Sequence, residues 1–412
     1  MNATLLPPGS SVLQLQGASV PHTITTGFGR AETRPFRRIA SISPAASLVA
    51  VLALAPVPRA LAQHLYQQTN LVSDVPGLAV STDSNLVNAW GLSRSATSPW
   101  WVADNGTGLS TLYNGAGAKQ TLKVTIPPAS GSTEAGTPTG TVFNGSADFQ
   151  VGPGQPARFL FASEEGTISG WNPAASPTTA ITKFESSTGA VYKGLALAQL
   201  RGANLLYAAD FHGGKIDVFD RDFQPVNLGA DAFRDAHLPP GYAPFNVQTV
   251  GDSLFVTYAK QDADKLDEVA GAGRGFVTAY GPDGALRLRL QWGPWFNAPW
   301  GVALAPSQFG RFGGMILVGQ FGSGRIAAFD PARGRFRGYL QGADHRRLQI
   351  DGLWALAFGN DANAGPATTL YFTAGINDEA HGLFGTITLA PDRGDADQNA
   401  ADDDAEPGDG QD

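Results

Sequence analysis

Short segments in which apolar and polar residues alternate recur six times along the chain. Period-2 alternation is typical of a β-strand with one buried face. Successive segments begin 58, 48, 61, 49 and 61 residues apart. They are GLSTLYN from Gly108, GTISGWN from Gly166, GKIDVFD from Gly214, GFVTAYG from Gly275, GRIAAFD from Gly324 and GTITLAP from Gly385. The pattern predicts one array of repeats rather than two or three separate domains.

Two more apolar segments precede each of these units. The nearer ones are WWVAD from Trp100, FLFAS from Phe159, LLYAAD from Leu205, LFVTYA from Leu254, ILVGQF from Ile316 and LYFTAG from Leu370. The farther ones are AWGLS from Ala89, TGTVF from Thr139, KGLALA from Lys193, FNVQTV from Phe245, PWGVALA from Pro299 and LWALAF from Leu353. Three clear strands and a weaker fourth in about 50 residues match a propeller blade.

We therefore predict an all-β fold, a six-bladed β-propeller of four-stranded antiparallel blades spanning residues 63–390. A linear solenoid is the competing architecture. The segment His64–Ser73 contains the alternating sequence LYQQTNLV. We predict that it forms the outer strand of the last blade and closes the ring, which leaves only short protected edges.

Residues 1–62 are predicted to be a leader and a signal peptide. Three arginines precede the apolar stretch Ile39–Val57, and Ala60-Leu61-Ala62 has the small-x-small pattern of a cleavage site. The mature chain would begin at Gln63 and be periplasmic or extracellular. An uncleaved anchor is the alternative, although the stretch is short for a membrane span. For residues 1–29, a start site assigned too early and a genuine long leader are both open.

Residues 391–412 are predicted to be a disordered acidic tail. After Pro391 the chain holds nine acidic residues against one arginine and has no hydrophobic period. A solubilising role is the simplest interpretation, and weak calcium binding is the alternative.

Composition excludes several classes of function. The 412-residue chain has a net charge of −8, which argues against a nucleic-acid partner. It has no cysteine, so it has no disulfide, thiolate nucleophile or cysteine-ligated metal. The motifs of serine hydrolases, zincins and phosphate-binding loops do not occur.

The repeat resembles the NHL-type propeller pattern, best in APWGVALA at Ala298 and in LLYAAD followed by GKIDVFD at Leu205. The segments NLVSD at Asn70, NAWGL at Asn88 and WVADNG at Trp101 resemble a family of exported bacterial propeller proteins. This second resemblance covers residues 64–390 and implies the fold, but it carries no activity.

Residues that end one strand or precede the innermost strand are expected to converge at one mouth of the central channel. From these we select a metal site that takes calcium or magnesium, because carboxylate and amide oxygens suit hard cations. Its ligands are Asp104, Glu164, Asp210, Asn246 and Asn297. Regucalcin-like lactonases and gluconolactonases are similar in architecture and in these residue types, but no motif of theirs matches. The alternative is that the Asp and Asn residues cap turns and that Glu164-Glu165 is a solvated loop.

His212, beside Asp210, is the candidate general base, and His381 could play the same part. A surface histidine is the alternative. Trp292 and Trp295 could form a stacking platform for a ligand, or belong to a loop folded over the ring. Trp90, Trp300 and Trp354 recur at matching blade positions and are interpreted as core.

Two functions follow from these features. We favour a monomeric binding or scaffold propeller that presents one face to a protein, peptide or glycan. The alternative is a divalent-cation-dependent hydrolase or lyase of the lactonase type. No stable membrane span is expected after signal cleavage.

Overall fold

The computed structural model describes residues 65–391. The predicted leader, signal peptide and its alternative anchor, and the acidic tail beyond Pro391, lie outside the described residues. Within residues 65–391 no helix is long and apolar enough to cross a membrane. The helices there are two short 3₁₀ turns, Asn105–Thr107 and Gly310–Phe312.

The described residues form 26 strands. In chain order they are β1 (Tyr66–Ser73), β2 (Ser81–Thr82), β3 (Ala89–Ser93), β4 (Trp100–Asp104), β5 (Leu109–Tyr113), β6 (Lys119–Thr125), β7 (Pro138–Phe143), β8 (Gln150–Gly152), β9 (Gln155–Pro156), β10 (Phe159–Ser163), β11 (Thr167–Trp171), β12 (Ile181–Glu185), β13 (Tyr192–Leu200), β14 (Ala203–Asp210), β15 (Lys215–Phe219), β16 (Tyr242–Val250), β17 (Ser253–Lys260), β18 (Phe276–Tyr280), β19 (Leu286–Arg289), β20 (Pro299–Leu304), β21 (Ile316–Gln320), β22 (Ile326–Phe329), β23 (Phe336–Tyr339), β24 (Leu353–Phe358), β25 (Leu370–Ile376) and β26 (His381–Leu389).

These strands form six antiparallel blades, so the predicted propeller is confirmed. From the centre outward, blade 1 is β3-β4-β5-β6, blade 2 is β7-β10-β11-β12 and blade 3 is β13-β14-β15. Blade 4 is β16-β17-β18-β19, blade 5 is β20-β21-β22-β23 and blade 6 is β24-β25-β26-β1, with β2 added parallel at its edge. A small hairpin, β8-β9, is inserted in blade 2.

Blade 3 has an irregular outer edge. Where the other blades have a fourth strand, Val226 N donates to Val218 O (2.8 Å) and Pro225 makes a single bridge with Phe219. Proline has no N–H to donate, so a regular ladder cannot continue through this segment.

The ring is closed as predicted. Strand β1 pairs antiparallel with β26 from Tyr66↔Leu389 to Ser73↔Leu383, with a bulge between Asn70 and Val72. Tyr66 is fully buried, and its hydroxyl donates to Phe309 O (3.0 Å) in blade 5. The closing strand therefore also ties blade 6 to its neighbour.

Small residues let the innermost strands approach one another. A Cβ at Gly91 would collide with the backbone of Thr139 in the next inner strand, and one at Gly140 would collide with the backbone of blade 3. Gly194 and Gly301 occupy the equivalent positions in their blades. The narrow channel that results brings side chains of distant repeats into contact.

Candidate functional site

Tryptophans close the channel. One position of the inner strand is equivalent in all six blades; it is the second residue of the strand in five blades and the fourth in β16. The six residues are Trp90, Thr139, Lys193, Phe245, Trp300 and Trp354. Trp90 stacks on Trp354 with ring centroids 3.8 Å apart, and Trp300 meets both rings edge-on at 6.3 and 5.8 Å. All three are buried, so their interpretation as core is confirmed, but they pack against one another across the channel.

Lys193 is the charged member of this ring. Its side chain is 1% exposed, and its Nζ lies 5.0 Å from the centroid of the Trp90 ring. Nζ also lies 2.6 Å from Glu164 Oε1 and 3.0 Å from Asp267 Oδ1. Burial disfavours the ammonium, but the neighbouring carboxylates outweigh it and raise the pKa of Lys193 above its usual range. The floor of the site thus carries a permanent positive charge.

A series of hydrogen-bonded side-chain amides connects Glu164, the partner of Lys193, with Glu379 on the opposite side of the mouth. Asn105 Nδ2 donates to Glu164 Oε2 (2.9 Å), and Asn88 Nδ2 donates to Glu379 Oε2 (2.6 Å) and to Asn105 Oδ1 (3.2 Å). The Asn88 side chain is oriented by the indoles below it, since its Oδ1 accepts from the Nε1 atoms of Trp90 (2.8 Å) and Trp354 (3.1 Å).

The turn that carries Glu379 is locally strained. Glu379 ends a run of three residues with positive φ, Asn377, Asp378 and Glu379, at 57°, 50° and 64°. Left-handed backbone is costly for residues other than glycine, and such strain concentrates at functional sites. Asn377 N donates to Asp351 Oδ2 (2.7 Å), which helps to fix the turn.

Two glutamates at the mouth resist ionisation. Burial raises the pKa of Glu268 to about 8, with Glu379 and Asp267 adding to the rise and Lys193 opposing it. Burial also raises the pKa of Glu379, and Glu164 adds to that rise while the Asn88 hydrogen bond opposes it. We call Glu164, Asp267, Glu268 and Glu379, grouped around Lys193, the acidic mouth. Its negative charge exceeds what one ammonium balances.

Of the five predicted metal ligands, only Glu164 belongs to the acidic mouth. Asp104 is fully buried, where one carboxyl oxygen accepts from Thr111 N (2.9 Å) and the other has no partner. Burial raises the pKa of Asp104 well above its usual range. The carboxylate of Asp210 accepts from Val191 N (3.2 Å) and Gly213 N (2.8 Å). Both aspartates therefore have the turn-capping contacts of the alternative interpretation.

The two predicted asparagine ligands also bind backbone. Asn246 Nδ2 donates to Trp300 O (2.9 Å), and its Oδ1 accepts from Val247 N (2.8 Å). Asn297 Oδ1 accepts from Gly271 N. Among residues 65–391 no group of three or more His, Asp or Glu side chains is placed to hold a metal ion. The adjacent acids Glu164 and Glu165 diverge, Glu164 to Lys193 and Glu165 to Thr137 N (3.0 Å).

The candidate bases, His212 and His381, and the two tryptophans of the predicted platform have separate surroundings. Asp210 binds backbone amides rather than His212, whose Nδ1 is buried with no hydrogen-bond partner in the described structure. His381 Nδ1 lies 2.7 Å from Asp74 Oδ2 at the closing strand. Trp292 is 58% exposed beside Phe276, whereas Trp295 stacks on Phe336 at 4.2 Å. The two tryptophans use different partners and do not form one stacking surface.

Lys193, Asp267, Glu268 and Glu379 were not predicted as site residues from the sequence. Lys193 had a detectable signature, because the aligned repeats place it in the column of Trp90, Trp300 and Trp354. A lysine in a row of buried aromatic residues needs a charge partner. Glu268 and Glu379 lie in loops of unequal length, which repeat alignment cannot superpose.

The opposite end of the channel is open. A cavity of about 500 Å³ lies there between the inner strands, below the tryptophans, and both apolar residues such as Leu92, Val142 and Val302 and polar residues such as Arg94 and Gln248 line it. The tryptophans thus separate the charged mouth from a second cavity of mixed polarity.

No model of a known protein family matches the chain. Two uncharacterized proteins of Acanthamoeba polyphaga mimivirus are similar to it along most of their length. One is 32% identical over 328 residues, covering 77% of this chain and 78% of the viral protein. The other is 32% identical over 331 residues, covering 77% and 84%. The expected bacterial origin of the family is not supported, because these relatives are viral.

Solved structures show distant similarity. A streptogramin B lyase structure is 10% identical with a TM-score of 0.45, covering 79% of this chain and 97% of the lyase chain. A Bacteroides thetaiotaomicron protein of unknown function is 12% identical with a TM-score of 0.46, covering 78% and 72%. These similarities are too weak to indicate a function.

Proposed function

The chain belongs to the family of these two mimivirus proteins, and we propose that it is a binding propeller that takes a cationic group of its ligand into the acidic mouth. The ligand class is an ammonium or guanidinium group, such as a lysine or arginine side chain of a peptide or protein. We propose that binding takes place in the cell envelope or outside the cell, as the predicted signal peptide implies.

The excess of carboxylates over Lys193 is the observation that carries this proposal. Two carboxylates, Glu164 and Asp267, contact the Lys193 ammonium. Two more carboxyl groups, Glu268 and Glu379, interact electrostatically with Lys193 and have raised pKa values. A bound cation would let these groups ionise, since an opposite charge nearby favours the charged form. Ligand binding should therefore release protons near neutral pH.

Chemistry at Lys193 is disfavoured by the same geometry. A Schiff base or a general base needs a neutral amine, but its carboxylate partners raise the pKa of Lys193 and hold it charged. The stacked tryptophans beneath it close the channel, so a ligand can enter this site from the mouth alone. These features favour binding over catalysis.

The cation-dependent hydrolase or lyase is the competing proposal. A divalent ion at Glu164 would have to displace the Lys193 ammonium, which lies 2.6 Å from that carboxylate. We expect 5 mM calcium or magnesium, compared with EDTA, to leave the melting temperature unchanged. An increase that Glu164→Ala abolishes would favour the metal-dependent enzyme instead.

Isothermal titration with agmatine, which carries one ammonium and one guanidinium, tests the binding proposal. At pH 7 we expect the measured enthalpy to differ between phosphate and Tris buffers, corresponding to release of up to about one proton. Glu379→Gln should weaken binding by about tenfold or more, because a hydrogen bond to a charged group contributes roughly 1.5–3 kcal/mol.

The matched control is Asp222→Asn, which removes one carboxylate from the exposed turn after β15. It should leave the affinity for agmatine unchanged. Binding that responds equally to both substitutions would indicate attraction to the overall negative charge. No heat with agmatine, putrescine or a Gly-Lys-Gly peptide would contradict the proposal.

A further inference from the structure

Blade 5 carries an excess of positive charge in an acidic protein. Residues 299–350 contain seven arginines, no lysine, two aspartates and no glutamate, whereas the whole chain has a net charge of −8. The arginines are Arg311, Arg325, Arg333, Arg335, Arg337, Arg346 and Arg347. Such local asymmetry indicates a surface for an anionic partner.

Three of these arginines surround one concave site. A hairpin follows β23, with a bridge between Gln341 and Arg347 and a hydrogen bond from Gly342 N to Arg346 O (2.8 Å). Arg325, Arg346 and Arg347 line the concavity together with His345 and Gln349. We call this set of residues the arginine hairpin site.

Within residues 65–391 the charge of the arginine hairpin site is almost unpaired. Arg346 is 89% exposed, and its ion-pair partner in that range is Asp344, at 4.0 Å. Arg325 Nε is buried without a hydrogen-bond partner in the described structure. The Arg347 guanidinium carbon lies 4.4 Å from the Tyr339 ring centroid, which holds it in place. A carboxylate entering the concavity would satisfy Arg325 and could accept paired hydrogen bonds from a guanidinium.

The described chain ends next to this site. Ala390 N donates to Leu65 O, and Tyr66 N donates to Gln341 O of the hairpin, both at 2.8 Å. Two strand spacings of about 4.8 Å therefore separate Ala390 from the hairpin, roughly 10 Å in all. Residues 392–412 follow and hold nine of the chain's acidic residues. An extended segment of this length reaches up to about 70 Å.

We propose that the acidic tail, residues 392–412, docks on the arginine hairpin site of its own chain. The short tether gives the tail an effective concentration near the millimolar range, which favours it over a separate anionic partner. Arginine forks suit carboxylates, and the tail supplies them in the run Asp402-Asp403-Asp404. The docked tail covers the site and neutralises blade 5.

A single cysteine provides a clean probe because the chain has none of its own. In the full chain, Gly410→Cys is labelled with a fluorophore and its anisotropy is measured in 20 mM and 500 mM NaCl. We expect high anisotropy at low salt and a fall at high salt, since salt screens exposed charge pairs. The double substitution Arg346→Glu and Arg347→Glu should lower the anisotropy in 20 mM NaCl to the value that the unsubstituted chain shows in 500 mM NaCl.

The matched control changes the same charge elsewhere on the same blade. Arg333→Glu with Arg335→Glu, in the turn between β22 and β23, should leave the anisotropy high. If the hairpin variant fails to fold, Asp402→Asn, Asp403→Asn and Asp404→Asn on the native propeller should produce the same loss.

Three outcomes would overturn the proposal. They are an equal effect of the two arginine pairs, an anisotropy independent of both the hairpin and the tail substitutions, and a signal that falls on dilution. The last would show that the tail binds another copy of the chain.

Discussion

Glu268→Gln should abolish a loss of stability that occurs as pH rises. Burial raises the pKa of Glu268 from 4.5 to about 8 in the folded protein. Between these values the folded state holds a proton that the unfolded state has lost, so the free energy of unfolding falls as pH rises from about 5 to about 8. Glutamine has nearly the shape of the protonated acid and does not titrate.

The size of this loss in the free energy of unfolding follows from the shift in the pKa of Glu268. Each pKa unit corresponds to about 1.4 kcal/mol, so the full shift sets an upper limit of roughly 5 kcal/mol. Glu268 is partly accessible, and solvent screening reduces this to about 2–4 kcal/mol. At pH 5 the variant and the wild type should unfold with the same free energy, and at pH 8.5 the variant should be the more stable.

Urea denaturation of both proteins at pH 5, 6, 7 and 8.5 measures this difference in the free energy of unfolding.

Groups whose pKa is lowered in the folded protein have the opposite effect at lower pH, where they make the free energy of unfolding rise with pH. For Asp83, burial opposes ionisation, but Lys119 and Tyr113 hold its pKa below the usual range. Wild-type stability should therefore peak near about pH 5. A difference between variant and wild type that is constant with pH would refute the reasoning about Glu268.

Three further experiments, at Asp104, at Tyr66 and at the pair Trp292 and Trp295, test the packing. Asp104→Asn should lower the free energy of unfolding by less than about 1 kcal/mol, because burial raises the pKa of Asp104 and so favours the neutral acid, and because the bond from Thr111 N is kept. A pH-dependent loss in denaturant titration would show a charged Asp104. Tyr66→Phe should lower the free energy of unfolding by about 1 kcal/mol and Tyr66→Ala by about 3–5 kcal/mol, as measured by calorimetry. Only the second substitution removes the ring that ties the closing strand to blade 5. Equal losses would contradict this. Trp295→Ala should lower the melting temperature far more than Trp292→Ala, since Trp295 stacks on Phe336 and Trp292 is exposed; equal shifts would argue against the difference in packing.

The strands were predictable because their determinants are local. Alternation along GKIDVFD and its relatives specifies one buried face. In four of the six units the leading glycine adopts the left-handed turn before the strand, as at Gly214 with φ 68°. Ring closure by β1 was also predictable, because a propeller without it leaves an exposed edge. The sequence does not show the irregular edge of blade 3, although Pro225 is consistent with it.

The candidate site was predictable in part. Glu164 was selected from the sequence because its place after a strand follows from the repeat, and in the structure it contacts Lys193. Asp104 and Asp210 occupy the expected strand ends, but each binds the nearest backbone amides. A buried carboxyl group takes the closest donors that satisfy it, and the sequence does not show which donors those are.

The repeat, the strand order, the closed ring and the charge asymmetry between blade 5 and residues 392–412 can be read from the sequence, because each depends on neighbouring residues or on composition. The contacts of Lys193 with Glu164 and Asp267, and the stacking of Trp90 on Trp354, are visible only in the folded ring. These pairs come from different blades. Their energies depend on distance and burial across the channel, which exist only once all six inner strands have come together.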